Sequence, residues 1–278
     1  KMILPDYAGI AILAICALLT LIMSIFFLLK SKKGALLHSY LWCQANIFIW
    51  CVSQILESTA NTLSERWFYA KIAYIAIAFV GVCWLLFCLF YTKNKFLKKQ
   101  LNVASLFIPP IIFYIFMITN NYHKLFYVVY DPFGKGISYG IIFWMHVMVT
   151  YSYIIAGLYI LIKHSIKQLE IRRKQSALLV LAVLVPFLSN ILILFNSVTG
   201  IQLIKTRLDI TPIGFAFSLL FFSIAIFKYR FLNIVPLATK RIVESMKEAV
   251  IVIDSFNNIS SYNKSFAKMF PQFENDTD

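Results

Sequence analysis

Apolar side chains come in long unbroken runs along this chain, and the charged ones are confined to the gaps between them. Seven stretches contain no Asp, Glu, Lys or Arg: residues 7–29, 34–56, 72–92, 100–123, 136–162, 175–204 and 210–227. Each supplies about 18 to 25 helical residues, the length that a hydrocarbon layer of about 30 Å demands of an α-helix. No Gly/Ser linker separates them and no fixed-period repeat is present. The pattern therefore predicts one all-α membrane bundle of seven transmembrane helices, with its two ends on opposite faces. Pro109, Pro110 and Pro186 fall inside the fourth and sixth runs, where a missing N–H frees a carbonyl and kinks the helix unless a neighbour satisfies it.

Two segments break the helical pattern. Leu125-Phe-Tyr-Val-Val-Tyr130 and Gly136-Ile-Ser-Tyr139 flank Asp131-Pro-Phe-Gly134, a turn sequence between two strand-like runs, which predicts a short extracellular β-hairpin. It reads either as a lid on the bundle or as a loop that keeps its apolar face off water. After the last run, Lys228-Tyr-Arg-Phe-Leu-Asn-Ile-Val-Pro236 leads into Leu237–Met246, where Ile242, Val243 and Met246 recur at helical spacing among Lys240, Arg241 and Glu244. This is a linker helix with one apolar side. Strands over 249–254 and 259–263 and a helical turn over 264–270 then start a small α+β module. The domain reading is a membrane bundle over 5–232, a linker helix over 233–248 and an incomplete soluble module over 249–278.

With 60% hydrophobic residues among 278, a soluble domain is excluded. The net charge of +14 does not indicate nucleic acid, because the basic residues sit between apolar runs and form no basic face with interleaved aromatics. They report orientation instead. Loops after the first, third and fifth runs hold twelve Lys and Arg (residues 30, 32, 33, 93, 95, 98, 99, 163, 167, 172, 173 and 174), and the alternate loops hold six (66, 71, 124, 135, 205 and 207). The amino terminus is therefore expected outside and the carboxyl terminus in the cytoplasm. Cys16, Cys43, Cys51, Cys83 and Cys88 all lie inside apolar runs without CxxC or zinc spacing, and read as small buried apolar residues.

Polar side chains within the runs gather toward the outer half. On the second run Trp50, Ser53, Gln54 and Glu57 share one face; Trp67, Lys71 and Tyr74 lead into the third; His146, Thr150 and Tyr153 lie on the fifth, Ser189, Asn190 and Asn196 on the sixth, and Asp209, Thr211 and Pro212 open the seventh. An ionisable group in hydrocarbon costs on the order of 3 kcal/mol unless it faces protein or water, so the clustering predicts an outward-open polar cavity. The candidate ligand-binding set is Trp50, Gln54, Glu57, Trp67, Lys71, Tyr74, His146, Thr150, Asn190 and Asp209. Pro212, Pro236, Ile242 and Met246 are candidates for transmission. A plainer account also fits: Ser, Thr and Asn join helices by hydrogen bonds of about 0.6 kcal/mol with no ligand involved, Glu57 and Lys71 pair at the interface, and His146 packs. No metal or cofactor site is read, and no GxSxG, HExxH or P-loop is present. A retinal protein is set aside, since the seventh run has no lysine.

Trp67-Phe-Tyr-Ala-Lys-Ile-Ala-Tyr74, Trp84-Leu-Leu-Phe-Cys-Leu-Phe-Tyr-Thr92, Asp209-Ile-Thr-Pro212 and the 228–236 junction leading into Val243-Glu-Ser-Met246 resemble the seven-transmembrane amino-terminal sensor region of bacterial sensor histidine kinases. The residues after Glu248 are similar to the start of a PAS domain. The resemblance implies a plasma-membrane receptor for a small ligand, a homodimer, and output through a PAS domain and a kinase that meets its response regulator by domains not in these residues. A transporter, a purely anchoring bundle, or a sensor for another output such as a cyclic-dinucleotide synthase are the alternatives. In a background with the five cysteines replaced by Ala, a cysteine at Gly134 should label with an impermeant reagent added to whole cells and one at Lys98 should not. Reversed labelling would overturn the orientation.

Overall fold

The computed structural model describes residues 7–31, 33–132, 136–166, 170–199, 214, 217, 218, 220–222, 224, 225, 243, 245–253 and 259–271. The expectations for Asp209, Thr211, Pro212, Pro236 and Ile242 fall outside these. The chain forms two compact units, Lys1–Leu29 with Lys33–Leu232, and Asn233–Asp278 with Lys30–Lys32.

In the first unit, helices α1 (Tyr7–Lys30), α2 (Ala35–Thr59), α3 (Leu63–Tyr91), α4 (Gln100–Ser105), α5 (Ile108–Ile118) and α6 (Asn120–His123) are followed by a two-stranded sheet, β1 (Tyr127–Asp131) and β2 (Gly136–Tyr139), then by α7 (Ile141–Ile166) and α8 (Glu170–Thr199). Among the described residues six helices are long and apolar enough to cross a membrane, with α4 and α5 acting as one. In the seventh run, the described residues between Gly214 and Ala225 are helical.

Helix α3 is the axis, packing on α2, α5 and α7. Every residue from Gly81 to Leu89 is buried, as expected of a helix apolar all round. It begins at Leu63 rather than at Ile72, where the charge-free run starts, because Thr62 and Glu65 form a capping box: the Thr62 hydroxyl accepts from the Glu65 amide and the Glu65 carboxylate from the Thr62 amide, both at 3.2 Å. The box satisfies two of the amides that a helix start leaves bare. By contrast, α1, α5 and α7 expose rows of aliphatics, among them Leu18, Ile22 and Ile25, then Ile108, Ile111 and Ile115, then Met148 and Ile155. Contiguous apolar surface of that extent needs lipid as its solvent.

Hydrocarbon also demands that backbone groups be satisfied internally. The fourth run breaks at Leu106 and Phe107, with Pro109 and Pro110 in the first turn of α5. Pro110 has no N–H for the Leu106 carbonyl, and the Tyr153 hydroxyl of α7 donates to it at 3.1 Å. Pro186 sits inside a continuous α8. Where α3 crosses α7, the Trp84 indole N–H donates to the Ile154 carbonyl at 3.2 Å. A Cβ at Gly157 would stand 2.4 Å from that nitrogen, so the crossing requires glycine.

The hairpin is held at its base by Asn120, which is 5% exposed. Its Oδ1 accepts from the Phe126 and Tyr127 amides and its Nδ2 donates to the Tyr127 carbonyl, all at 3.0 Å. Gly140 closes the other strand, its amide donating to the Phe126 carbonyl at 2.8 Å; a Cβ there would lie 2.1 Å from the Leu125 carbonyl oxygen. Register runs Tyr127 to Tyr139, Val129 to Ser138 and Tyr130 to Ile137, so Val128 is an unpaired bulge. In a regular strand Tyr127 and Tyr130 face opposite ways. The bulge turns both to the face shared with Ile137 and Tyr139.

In the second unit β3 (Ile251–Ile253) pairs antiparallel with β4 (Ile259–Tyr262), and α9 (Lys264–Met269) follows. Asn263, 1% exposed, joins them: Oδ1 accepts from the Val250 and Phe266 amides at 3.0 Å, and Nδ2 donates to the Glu248 and Val243 carbonyls at 2.8 and 3.1 Å. It thus caps α9 and anchors the end of the linker. Met246 is partly exposed, and its carbonyl accepts from the Ser265 hydroxyl at 2.6 Å.

Replacing Asn120 by Ala strips acceptors from two buried amides, at a cost of roughly 1–3 kcal/mol for each group left unsatisfied. Hydrogen exchange at Phe126 and Tyr127 in nanodiscs should accelerate at least about tenfold, the factor that 1.4 kcal/mol represents. Asn120→Asp, which keeps the acceptor, should retain part of the protection. Unchanged exchange in Asn120→Ala would show that the hairpin holds without the clamp.

Candidate functional site

Beneath the hairpin lies a cavity of about 380 Å³, within the range of about 300–1,000 Å³ typical of small-molecule sites. Its roof is the face that the bulge creates: Tyr127, Tyr130, Ile137 and Tyr139. One wall is α2, contributing Trp50, Gln54 and Glu57, each three or four residues from the next, so that they stack along one helix face. Helix α3 supplies Tyr74, Ile77 and Trp84, α7 supplies Phe143, His146, Thr150 and Tyr151, and α8 supplies Pro186, Phe187 and Asn190. Ser218 and Phe222 of the seventh run close it from below. Phe222 in turn packs on Tyr40 and Phe87, at 5.7 and 6.0 Å between ring centroids.

The polar atoms on these walls are cross-linked. The Tyr130 hydroxyl donates to Glu57 Oε1 at 2.8 Å, joining roof to wall. Burial pushes the Tyr130 hydroxyl well above its usual pKa, and the Glu57 charge and their hydrogen bond push it further, so it remains a donor. Burial likewise raises Tyr127. The Tyr151 hydroxyl donates to Asn190 Oδ1 at 2.8 Å. His146, 3% exposed, has Nδ1 3.3 Å from the Thr150 hydroxyl and packs its ring on Tyr74, Phe113 and Phe126. It is both a packing residue and part of the lining. Cys43 lines the inner end, and all five cysteines are free thiols.

Of the residues singled out by helical spacing, Trp50, Gln54, Glu57, Tyr74, His146, Thr150 and Asn190 meet around this one space. Trp67 and Lys71 do not line it. Trp67 packs behind the roof, with ring centroids 5.9 Å from Tyr127 and 4.8 Å from Tyr130, and Lys71 Nζ lies 5.4 Å from the centre of the Trp67 ring. Ser53 is buried, and the Ser189 hydroxyl donates to the Val185 carbonyl of its own helix. Spacing missed the roof. Its tyrosines stand in a segment recognisable as a hairpin, but nothing in the alternation of residues reveals the bulge that turns Tyr127 and Tyr130 to one side.

The model of one protein family, described as the N-terminal 7TM region of histidine kinase, matches residues 12–236. No match was found among curated proteins or among solved structures. With the match covering most of the chain, the chain belongs to this family, as a multi-pass membrane region that is sensory rather than catalytic.

Proposed function

We propose that this region is a receptor: a small extracellular or membrane-borne ligand enters the cavity beneath the hairpin and biases the seventh span, which hands the change through Pro236 to the linker helix and a cytoplasmic PAS and kinase output. The observation that carries the reading is the cavity itself. Polar side chains of α2, α7 and α8 converge on a space that Ser218 and Phe222 of the seventh span also line, so an occupant touches both the walls and the element leading to the junction. The amino terminus lies outside in this reading, in keeping with the Lys and Arg distribution, and the strands and helix after Glu248 begin the PAS domain. Two copies would pair their linker helices through Ile242, Val243 and Met246.

Such a ligand acts only if it binds one state of the bundle better than the other. A side chain that fills the cavity should therefore shift output without any ligand. In the full-length protein reconstituted in vesicles, Val183→Trp, on the cavity wall, should change basal autophosphorylation by about fivefold or more, the lower end of usual coupling energies. Ile155→Trp, on a 56% exposed outer position, should not. Adding Pro236→Gly to Val183→Trp should return output to the basal level. If Val183→Trp behaves like Ile155→Trp, the cavity is not coupled to output and the bundle is an anchor.

A further inference from the structure

Resting on the receptor reading of the cavity, we infer that its ligand is a single-chain alkyl amphiphile lying along the bundle axis, with its polar head under the hairpin and its tail at Phe222. The first observation is the shape of the space. Its lining on α2 is a stripe, Cys43, Ile47, Trp50, Gln54 and Glu57, each three or four residues from the next, which is one helix face followed for about four turns. The stripes on α3 from Ala70 to Trp84, on α7 from Phe143 to Ile154 and on α8 from Ala182 to Leu194 are built the same way. At ~1.5 Å per residue the four stripes cover about 16 to 21 Å. A round cavity of about 380 Å³ would measure only about 9 Å across. The volume is therefore drawn out between the helices and takes an occupant in single file.

The second observation is that the two ends of this space differ. Under the hairpin stand Gln54, Glu57, Tyr127, Tyr130 and Tyr139. Toward the far end stand Ile47, Val80, Trp84, Ile154, Val183 and Phe222, with Cys43 and Ser218 beside them. Small-molecule sites are mostly apolar, with a few polar groups that fix orientation, and here the polar groups place the head at the hairpin. Polar side chains also stand midway, but they are bonded along the walls: His146 Nδ1 lies 3.3 Å from the Thr150 hydroxyl, and Tyr151 donates to Asn190 at 2.8 Å. A methylene chain can pass beside groups whose partners are on the wall.

The third observation is what stands at the far end. Ser218 and Phe222 belong to the seventh span, and Phe222 packs on Tyr40 and Phe87. Only a tail long enough to traverse the lining reaches them. Chain length is then what the site selects: a short homologue occupies the hairpin end without touching the seventh span. Each methylene taken from water into the channel strengthens binding roughly fourfold, until the tail meets Phe222.

The test photolabels the full-length protein in nanodiscs with 1-tetradecanol carrying a diazirine, and maps the labelled peptides by mass spectrometry. With the diazirine on the terminal carbon, label should fall at the far end, on Trp84, Ile154 or Phe222. With the diazirine beside the hydroxyl it should fall on Gln54, Tyr130 or Tyr139. Compared at free aqueous concentration, 1-tetradecanol should displace the hydroxyl-end probe with at least about a hundredfold advantage over 1-octanol. Val183→Trp, which fills the far end, should cut that advantage at least about tenfold, a loss of about 1.4 kcal/mol, and leave displacement by 1-octanol unchanged. If both probes label only the hairpin end, or 1-octanol competes as well as 1-tetradecanol, the site is compact: the cavity remains a ligand site and the alkyl assignment is wrong. If a phospholipid with a diazirine at the end of its acyl chain labels the far end and 1-tetradecanol does not displace it, the chain belongs to the bilayer and the free amphiphile is wrong. If neither probe labels the lining, the cavity reading fails and the assignment with it.

Discussion

One buried asparagine holds the hairpin end of the bundle together. The three hydrogen bonds that Asn120 makes to Phe126 and Tyr127 fix where β1 leaves the bundle, and every residue of the cavity roof is placed relative to that point. The bulge at Val128 turns Tyr130 inward, where it donates to Glu57; cross-strand pairing carries the same placement to Tyr139, whose ring stacks on Phe143 of α7 at 3.9 Å. The hairpin is thereby joined to α2, through Tyr130, and to α7, through Tyr139, with the cavity between. An amide side chain suits the role because it both donates and accepts. An ionised carboxylate, which only accepts, would lose the bond to the Tyr127 carbonyl.

A second constraint comes from the absence of water in hydrocarbon. Polar groups there must find partners on other helices or in a cavity, and both solutions occur. The Leu106 carbonyl freed by Pro110 is taken by Tyr153, and the Trp84 indole by the Ile154 carbonyl across a glycine. These bonds tie α7 to α3 and to the break between α4 and α5. Glu57, Gln54 and Asn190 instead turn toward the cavity. On the cavity's inner side, Phe222 bridges the lining and the aromatic packing of Tyr40 and Phe87, so the seventh span adjoins both.

Much of this was legible in the chain of residues. Charge-free runs find membrane helices because hydrocarbon tolerates few charges, and α1, α2, α7 and α8 all contain the core of such a run. They fail where a charge is carried beyond the hydrocarbon by a well-capped helix, as with Glu65, Arg66 and Lys71 in the first turns of α3. They fail also where strand and helix are both apolar, as at Gly136–Tyr139. Helical spacing brought seven of the candidate ligand-binding residues to one space because those residues sit on rigid helices, one or two turns apart. Trp67 and Lys71 escaped the rule: they lie nearer the start of α3, where the hairpin covers Trp67. The roof tyrosines stayed hidden because their facing depends on one unpaired residue, which alternation cannot reveal.

Entry of a ligand from outside, as proposed, requires a cavity that opens to that side of the membrane and not to the cytoplasm or the lipid. Gln54 lies on its wall, one helical turn inward from Glu57. With the native cysteines replaced by Ala, a Gln54→Cys variant should react with a small hydrophilic thiol reagent added outside whole cells, and an Ile155→Cys variant, facing away from the bundle, should not. If Gln54→Cys is inert from outside, or reacts only when the reagent reaches the cytoplasmic face, the outer cavity is not where a ligand enters.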